Sequence, residues 1–507
     1  MVLIAIFFRF WEIGKIPYGF NNDAIWEASA AIEILKGNSS PYLPYAQEGW
    51  RGEGIIRLVV SSLMIFLGNN PLTVPLSTAG FGVGLAIGIF FLLQRLFNWQ
   101  VAILTSFFIS ISGWHIAFSR SGWRAVTVPF FTTLLFYFYF KGTESKKRIH
   151  FILAGVMLSI VSLYTYDAAR VVPIFFAFWL LIEFLSKRSF LKTYWKFLIY
   201  LFVSCFIVSL PMIFYALTNW QNFTNRSNFL FVGHEIEKVG NFSPLINNVN
   251  TSLFLFNFKA NGNDFFIFEP LVDKPLSWFL PIGFIITCFY SAVRRDKKFF
   301  FMLCWLLASL IPGILAVPNG NRAIGAIPSI YFLVTIGILY PLKWVSNFFG
   351  RYKLGIISTV FILMFCTYAM LLTYRDYLSP YRRELFGFYP ETLIVTNYAK
   401  TIMNNYNIYI TDRHPPELLT YYLYREGQNN AFSRNFTYLG NSQDFLNIDR
   451  TSEKGLAFFM FVNPQNEFVA DQLRSIHNNA EKAYLWYRDD NINRPASLVI
   501  LVPPKKQ

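Results

Sequence analysis

The stretch Phe197–Leu217, FLIYLFVSCFIVSLPMIFYAL, runs for 21 residues without one charged side chain. Crossing a bilayer takes roughly 20 mainly apolar residues. The run therefore reads as a transmembrane helix, the core of a span at about 196–217. Working outward, comparable runs lie at about 73–95, 99–118, 125–141, 149–166, 170–186, 277–293, 299–317, 323–342 and 354–374. A shorter one covers about 1–13, and no small-residue cleavage site follows it, so it is not a cleavable signal. That makes eleven spans. Ile55–Leu67 is too short to cross and is interrupted by Arg57, so it reads as an amphipathic helix on the membrane surface.

Composition agrees. The 507 residues are 54% hydrophobic, 19% aromatic and 14% charged, with 57 Phe, whereas soluble domains carry about 25% charged residues. The net charge of +15 does not point to nucleic acid, because the basic residues gather in short loops between apolar runs. Lys146-Lys147-Arg148, Lys187-Arg188 with Lys192 and Lys196, Arg294-Arg295 with Lys297-Lys298, and Arg351 with Lys353 all fall on one side. The positive-inside rule makes that side the cytoplasm. The opposite side then holds outer loops 14–72 and 218–276, several short turns and the C-terminus. Cys205, Cys288, Cys304 and Cys366 lie inside apolar runs and have no zinc spacing.

From about Leu378 the chain turns polar. Asn407–Thr411, Leu456–Val462, Lys482–Tyr487 and Ser497–Val502 read as strands; Thr392–Asn405, Pro415–Tyr424 and Gln465–Asn478 read as helices. Alternation of the two predicts a small extracytoplasmic α/β domain over 378–507, after a membrane domain over 1–377. No Gly-rich phosphate loop follows a strand, so the domain reads as one for docking or substrate positioning. Triplets such as Asn222-Phe223-Thr224 and Asn435-Phe436-Thr437 match the glycosylation sequon and suggest exposure only.

Polar groups collect where the runs meet the outer side. The first loop carries Asp23, Glu27, Glu48 and Glu53. The second turn carries His115, Arg120 and Arg124. The third reads Tyr164-Thr165-Tyr166-Asp167-Ala168-Ala169-Arg170, and a later one Pro318-Asn319-Gly320-Asn321-Arg322. Ionisable residues at membrane depth are costly and point to function. Plainer readings exist for each. Asp23 suits a helix N-cap, Arg120 and Arg124 suit snorkelling, Asp167 and Arg170 suit a pair three residues apart, and His115 suits an interfacial belt. Glu27, one turn after Asp23, reads equally as solvated or catalytic. Against coincidence stands the side, since outer arginines oppose the positive-inside bias and an anionic ligand such as phosphate explains them.

A sugar on a polyprenyl phosphate already has a good leaving group. The departing phosphate needs cations, and the acceptor hydroxyl needs one base, so paired carboxyls of the glycosidase kind are not required. An acidic loop beside basic turns suits that reaction.

The chain resembles the membrane glycosyltransferases of the C-type fold, in the branch of the protein O-mannosyltransferases and lipid A aminoarabinose transferases. The resemblance covers roughly residues 10–345. It rests on Asp23-Ala24-Ile25-Trp26 with the run to Leu35, on Arg51-Gly52-Glu53, and on Ser112–Arg120 with Gly122-Trp123-Arg124-Ala125. It also rests on Tyr164–Arg170 and on Asn321-Arg322-Ala323-Ile324-Gly325-Ala326-Ile327-Pro328. It implies a polytopic helical membrane fold with a C-terminal α/β domain, and a multi-pass protein of the plasma membrane. It also implies transfer from a polyprenyl-phosphate sugar to a glycan, lipid or protein acceptor, with Asp23 as base and Glu53 as second catalytic candidate. His115, Arg120, Arg124, Arg170 and Arg322 are the implied phosphate ligands, with Asp167 and Tyr166 in support. Where the family has Asp-Glu this chain has Asp23-Ala24, which leaves a divalent cation an open question and makes Glu53 or Asp167 the compensating acid. Two rivals are a flippase for lipid-linked saccharides and an inactive scaffold. No half-to-half repeat is visible, and the charges sit at span ends, which disfavours the flippase. The missing acid after Asp23 keeps the scaffold in play.

Overall fold

A computed structural model of the chain describes residues 1–17, 19–40, 54–68, 70, 72–260, 270–349, 351–378, 390–411, 436–448, 453–487 and 495–504. Glu48, Arg51, Glu53 and the predicted helix 415–424 lie outside the described residues. The chain divides into two units. One comprises Met1–Ile13, Ala30–Leu63 and Val74–Ser379; the other comprises Gly14–Ser29, Met64–Thr73 and Pro380–Gln507.

Every apolar run becomes a helix. With shorter or more polar helices among them, the order is α1 (Val2–Phe10), α2 (Asn22–Leu35), α3 (Gly54–Leu67), α4 (Thr73–Leu96), α5 (Trp99–Ile111), α6 (Gly113–Arg120), α7 (Thr127–Ser145), α8 (Arg148–Leu163), α9 (Val172–Ser186) and α10 (Phe190–Thr218). There follow α11 (Trp220–Leu230), α12 (Gly233–Val239), α13 (Ser243–Phe254), α14 (Lys274–Ser277), α15 (Phe279–Ala292), α16 (Lys297–Ile314), α17 (Ile327–Phe349) and α18 (Arg351–Thr373). Among the described residues seven helices are long and apolar enough to cross a membrane, or eight if the bent pair α5–α6 counts as one. The remaining predicted spans are α1, α7 and α8, which do not reach that standard; α1 has 9 residues and α8 has 16. The segment 218–276, expected as an outer loop, holds the helices α11, α12 and α13. On α3 Ile56 and Val60 are buried, but so is Arg57, and the exposed Ile65 and Phe66 are apolar, so the helix does not show the polar outer face of the amphipathic helix expected there.

In a bilayer lipid offers helices no hydrophobic drive to associate, so small residues and interhelical hydrogen bonds set the packing. A Cβ on Gly283 of α15 would run into the Leu333 carbonyl of α17, and one on Gly337 into the Phe279 carbonyl. These two glycines let the backbones of α15 and α17 touch. Thr105 of α5 donates to Thr335 of α17 at 2.9 Å, and Ser159 of α8 bonds Ser209 of α10 at 2.8 Å. α17 is almost wholly buried at the centre, whereas α10 and α18 show mostly apolar side chains outward.

In the second unit, β1 (Tyr406–Thr411), β2 (Phe436–Leu439), β3 (Gly455–Met460), β4 (Glu481–Trp486) and β5 (Pro495–Val502) form a sheet in the order β2-β1-β3-β5-β4. β1 is parallel to β2 and β3, while β5 is antiparallel to β3 and β4. α19 (Pro390–Ile402) packs Val395 and Ala399 on one face; α20 (Pro464–Ile476) packs Val469, Ala470 and Leu473 on the other. The small α/β domain predicted at the C-terminus is therefore present. β2 is the strand that the sequence does not announce, being four residues long and overlapping the sequon Asn435-Phe436-Thr437.

Candidate functional site

The site begins at the break between α5 and α6, which bend by 56°. A broken helix leaves carbonyls and N–H groups unpaired, and in an apolar bundle each must find a partner. Ser112, at the break, accepts from the His115 N–H at 3.2 Å and from the Tyr331 hydroxyl at 2.6 Å. The Gly113 N–H donates to Asp273 Oδ2 at 3.2 Å. Arg9 of α1 closes the other side. Its guanidinium donates to Ile109 O at 3.0 Å, Ser110 O at 2.9 Å and Ala5 O at 3.3 Å, and Nη2 lies 2.7 Å from His115 Nδ1. Gly82 makes room for it, since a Cβ there would meet Ser119 and Arg9.

Two residues expected among the phosphate ligands thus turn inward. His115 is wholly buried behind Arg9. Arg120 is 4% exposed and donates to Phe8 O at 3.1 Å and Trp11 O at 2.8 Å, at the end of α1. Arg120 spends its donors on the end of α1, and the His115 ring faces Arg9 inside the bundle, which is the physical reason to set them apart from phosphate.

The other turns meet. The Arg124 guanidinium lies 5.9 Å from the centre of the Tyr166 ring, and the Tyr166 hydroxyl accepts from Asn321 Nδ2 at 2.9 Å. Trp114 donates to Gly320 O at 3.2 Å. The second, third and fourth turns, some 200 residues apart in sequence at the extremes, therefore pack together, with Trp114, Arg124, Tyr166 and Asn321 all buried. Beside them a slot is lined by Val128, Ala168, Val171, Trp305, Ile324 and the half-buried Arg322. Arg322 donates to Val317 O at 2.6 Å, and its N–H bonds Asn319 Oδ1 at 2.9 Å. Arg170 pairs with Asp167 at 2.7 Å, donates to Ser227 Oγ at 2.8 Å and stacks on Phe223, tying the third turn to α11. The plainer reading of the Asp167–Arg170 spacing is the geometry observed. The N-terminus of α3 also reaches these turns, with the Ile55 N–H donating to Tyr164 O at 3.1 Å.

In the second unit, Asn21 rather than Asp23 caps α2. Asn21 Oδ1 accepts from the Ala24 N–H at 2.8 Å, and the helix starts at Asn22. Asp23 is a half-buried residue of the first turn. Glu27 is buried, so the solvated reading of it is overturned.

Arg9 and Asp273 were absent from the sequence-derived site. A lone Arg inside an otherwise apolar run was a signal for the first. Asp273 had none; burial raises its carboxyl to about 7 against the opposing pull of the Gly113 N–H. Among the described residues no three His, Cys, Asp or Glu side chains gather as a cation site would need.

No protein-family model and no curated protein matches the chain. Solved structures do. ArnT from Cupriavidus metallidurans in the apo state aligns with a TM-score of 0.55 at 12% identity, over 99% of this chain and 96% of that one. The same protein bound to undecaprenyl phosphate gives 0.53 at 11%, over 99% and 97%. The apo oligosaccharyltransferase of Archaeoglobus fulgidus gives 0.52 at 14%, over 96% and 69%. A form of the latter was solved with Zn and sulfate. The fold expected from the sequence resemblance, that of the C-type membrane glycosyltransferases, is the fold of this chain.

Proposed function

We propose that the protein is a plasma-membrane glycosyltransferase. It moves a sugar from a polyprenyl-phosphate-linked donor to a glycan, lipid or protein acceptor on the extracytoplasmic face. The observation that carries this reading is the stack of Arg124 on Tyr166, with Tyr166 held by Asn321 beside the Arg322 slot. It lies in a fold shared with a structure holding undecaprenyl phosphate. Arg124 and Arg322 are the proposed phosphate ligands, with Arg170 and Asp167 bracing the third turn. Arginine suits this role through its fork of donors.

In the proposed reaction the acceptor oxygen attacks the anomeric carbon and its proton passes to Asp23. The bond from that carbon to the phosphate oxygen breaks, and the oxygen keeps the electron pair. The arginines stabilise the charge that grows there. Asn21 already supplies the cap of α2, which supports another role for Asp23. No step runs through a metal. Ala24 in place of a second acid favours one other reading, an inactive scaffold.

The test is sugar transfer by the purified full chain in nanodiscs, given a panel of polyprenyl-phosphate sugars. Asp23→Asn is expected to lower turnover by about 10²-fold or more with little change in stability. Wild-type turnover in that variant would move the base elsewhere, and no transfer by the wild type would favour the scaffold. For the orientation, reporter fusions after Lys146 and after Ser442 are expected to read opposite sides; two cytoplasmic signals would overturn it.

A further inference from the structure

Arg95 stands in the last turn of α4, and Tyr137 and Lys141 stand one turn apart on α7. Gly84 and Gly88 hold the two helices close, since a Cβ at either would crowd Phe130 or Thr133 of α7. Toward the helix ends the Arg95 guanidinium lies 5.6 Å from the centre of the Tyr137 ring, and Lys141 Nζ lies 5.4 Å from the same centre. Both distances are within cation–π range. Phe91, one turn before Arg95 on α4, also meets that ring, at 6.3 Å between centres, and is exposed.

The charges here are poorly matched. Arg95 pairs with Glu144, but its Nε is buried and bonded to nothing. Lys141 is half-buried, and its hydrogen bond goes to the Tyr137 hydroxyl at 3.4 Å; among the described residues it meets no carboxylate. Arg95, Lys141 and Lys147 all act electrostatically on His150 at the start of α8, and Lys146 and Arg148 beside it are exposed. A helix C-terminus favours a cation by itself, and Lys and Arg near a span end snorkel. Those habits account for cations that reach water. They do not account for two half-buried cations converging on one ring with a buried donor left over, because like charges held together are costly until an anion joins them.

What adjoins the cations identifies the anion. Phe91 puts an exposed apolar ring one turn deeper along the span than Arg95. A ligand that meets both carries an anionic head and an apolar chain, in that order. A free phosphate leaves the ring uncovered. Basic pockets between spans hold anionic lipid heads in this way, and a phosphodiester offers two free oxygens to two cations.

We propose that the ends of α4 and α7 form a binding site for an anionic phospholipid. Arg95 and Lys141 hold its phosphate beside the Tyr137 ring, and its acyl chain lies on Phe91. On the charge rule that orients the chain, this lipid belongs to the cytoplasmic leaflet, opposite the face proposed for transfer.

The experiment is native mass spectrometry of the full chain released from phosphatidylcholine nanodiscs that hold a minor share of phosphatidylglycerol. Retained lipid is expected to be enriched in phosphatidylglycerol by on the order of 10-fold over its share of the disc. Lys141→Gln breaks no ion pair and is expected to lower that enrichment about 5-fold; Arg95→Gln together with Lys141→Gln is expected to abolish it. Lys187→Gln with Arg188→Gln takes two exposed charges from another basic turn and is expected to leave it in place. The proposal is overturned if phosphatidylglycerol is not enriched on the wild type, or if Lys141→Gln keeps the wild-type enrichment. It is also overturned if the change at Lys187 and Arg188 costs as much as Lys141→Gln, which would assign the lipid to basic charge at large. Inorganic phosphate that raises the unfolding midpoint in phosphatidylcholine discs as much as phosphatidylglycerol does would put a free anion in place of the lipid and overturn it too. Because turnover is not read, failure here leaves the transferase reading untouched.

Discussion

At the α5–α6 bend Arg9 gives its guanidinium to Ile109 O, Ser110 O, Ala5 O and His115, and is wholly buried. At the turn before α17 Arg322 gives a side-chain bond to Val317 O and lines a slot. The residue type is the same, and both sit in one helical unit. The first region uses positive charge to mend a broken helix; the second carries it on turns between helix ends. Partners, not residue type, mark an arginine that holds the fold. Arg120, bonded to Phe8 O and Trp11 O, belongs with Arg9 on this criterion.

The comparison breaks most readily at Arg9. Arg9→Leu removes partners from two buried carbonyls at the bend and from His115. Each buried group left unsatisfied costs about 1–3 kcal/mol, so a loss on the order of 3–5 kcal/mol is expected. The check is the unfolding midpoint in detergent. A stable Arg9→Leu protein that binds undecaprenyl phosphate more weakly would move Arg9 into the ligand class.

Asp273, on the same bend, sharpens the contrast through pH. Its carboxyl sits at about 7 because burial disfavours the charge, whereas an unfolded Asp titrates near 4. Between roughly pH 4 and 7 the folded chain therefore holds a proton that the unfolded chain has released. Stability falls as pH rises through that window and levels off above it, by on the order of a few kcal/mol. Asp273→Asn keeps an acceptor for Gly113 and is expected to match the wild type at about pH 3 and exceed it at about pH 8. Equal pH profiles for the two proteins would remove Asp273 from this account.

The smallest effect is expected at Arg322. Arg322→Ala should leave stability within about 1 kcal/mol and lower affinity for undecaprenyl phosphate about 10-fold. Unchanged affinity in the folded variant would place Arg322 with the structural arginines.

Much of this was legible beforehand. Each apolar run is a helix, and the second, third and fourth turns do meet. Legibility stopped where a partner is remote or a signal is short. Arg9 and His115 are 106 residues apart. β2 has four residues and no flanking alternation strong enough to announce it. At α2 both Asn21 and Asp23 suit a cap, and only the Ala24 N–H shows which one serves.

Sequence alone determined that this is a polytopic membrane chain with a polar C-terminal domain. The transfer of each run into lipid depends on its own composition and length, and so can be summed along the chain. Tertiary structure alone decided which charges hold the fold. A buried guanidinium is satisfied by whichever carbonyls packing brings within 3 Å or so, and those carbonyls lie on helices that share no local signal with it.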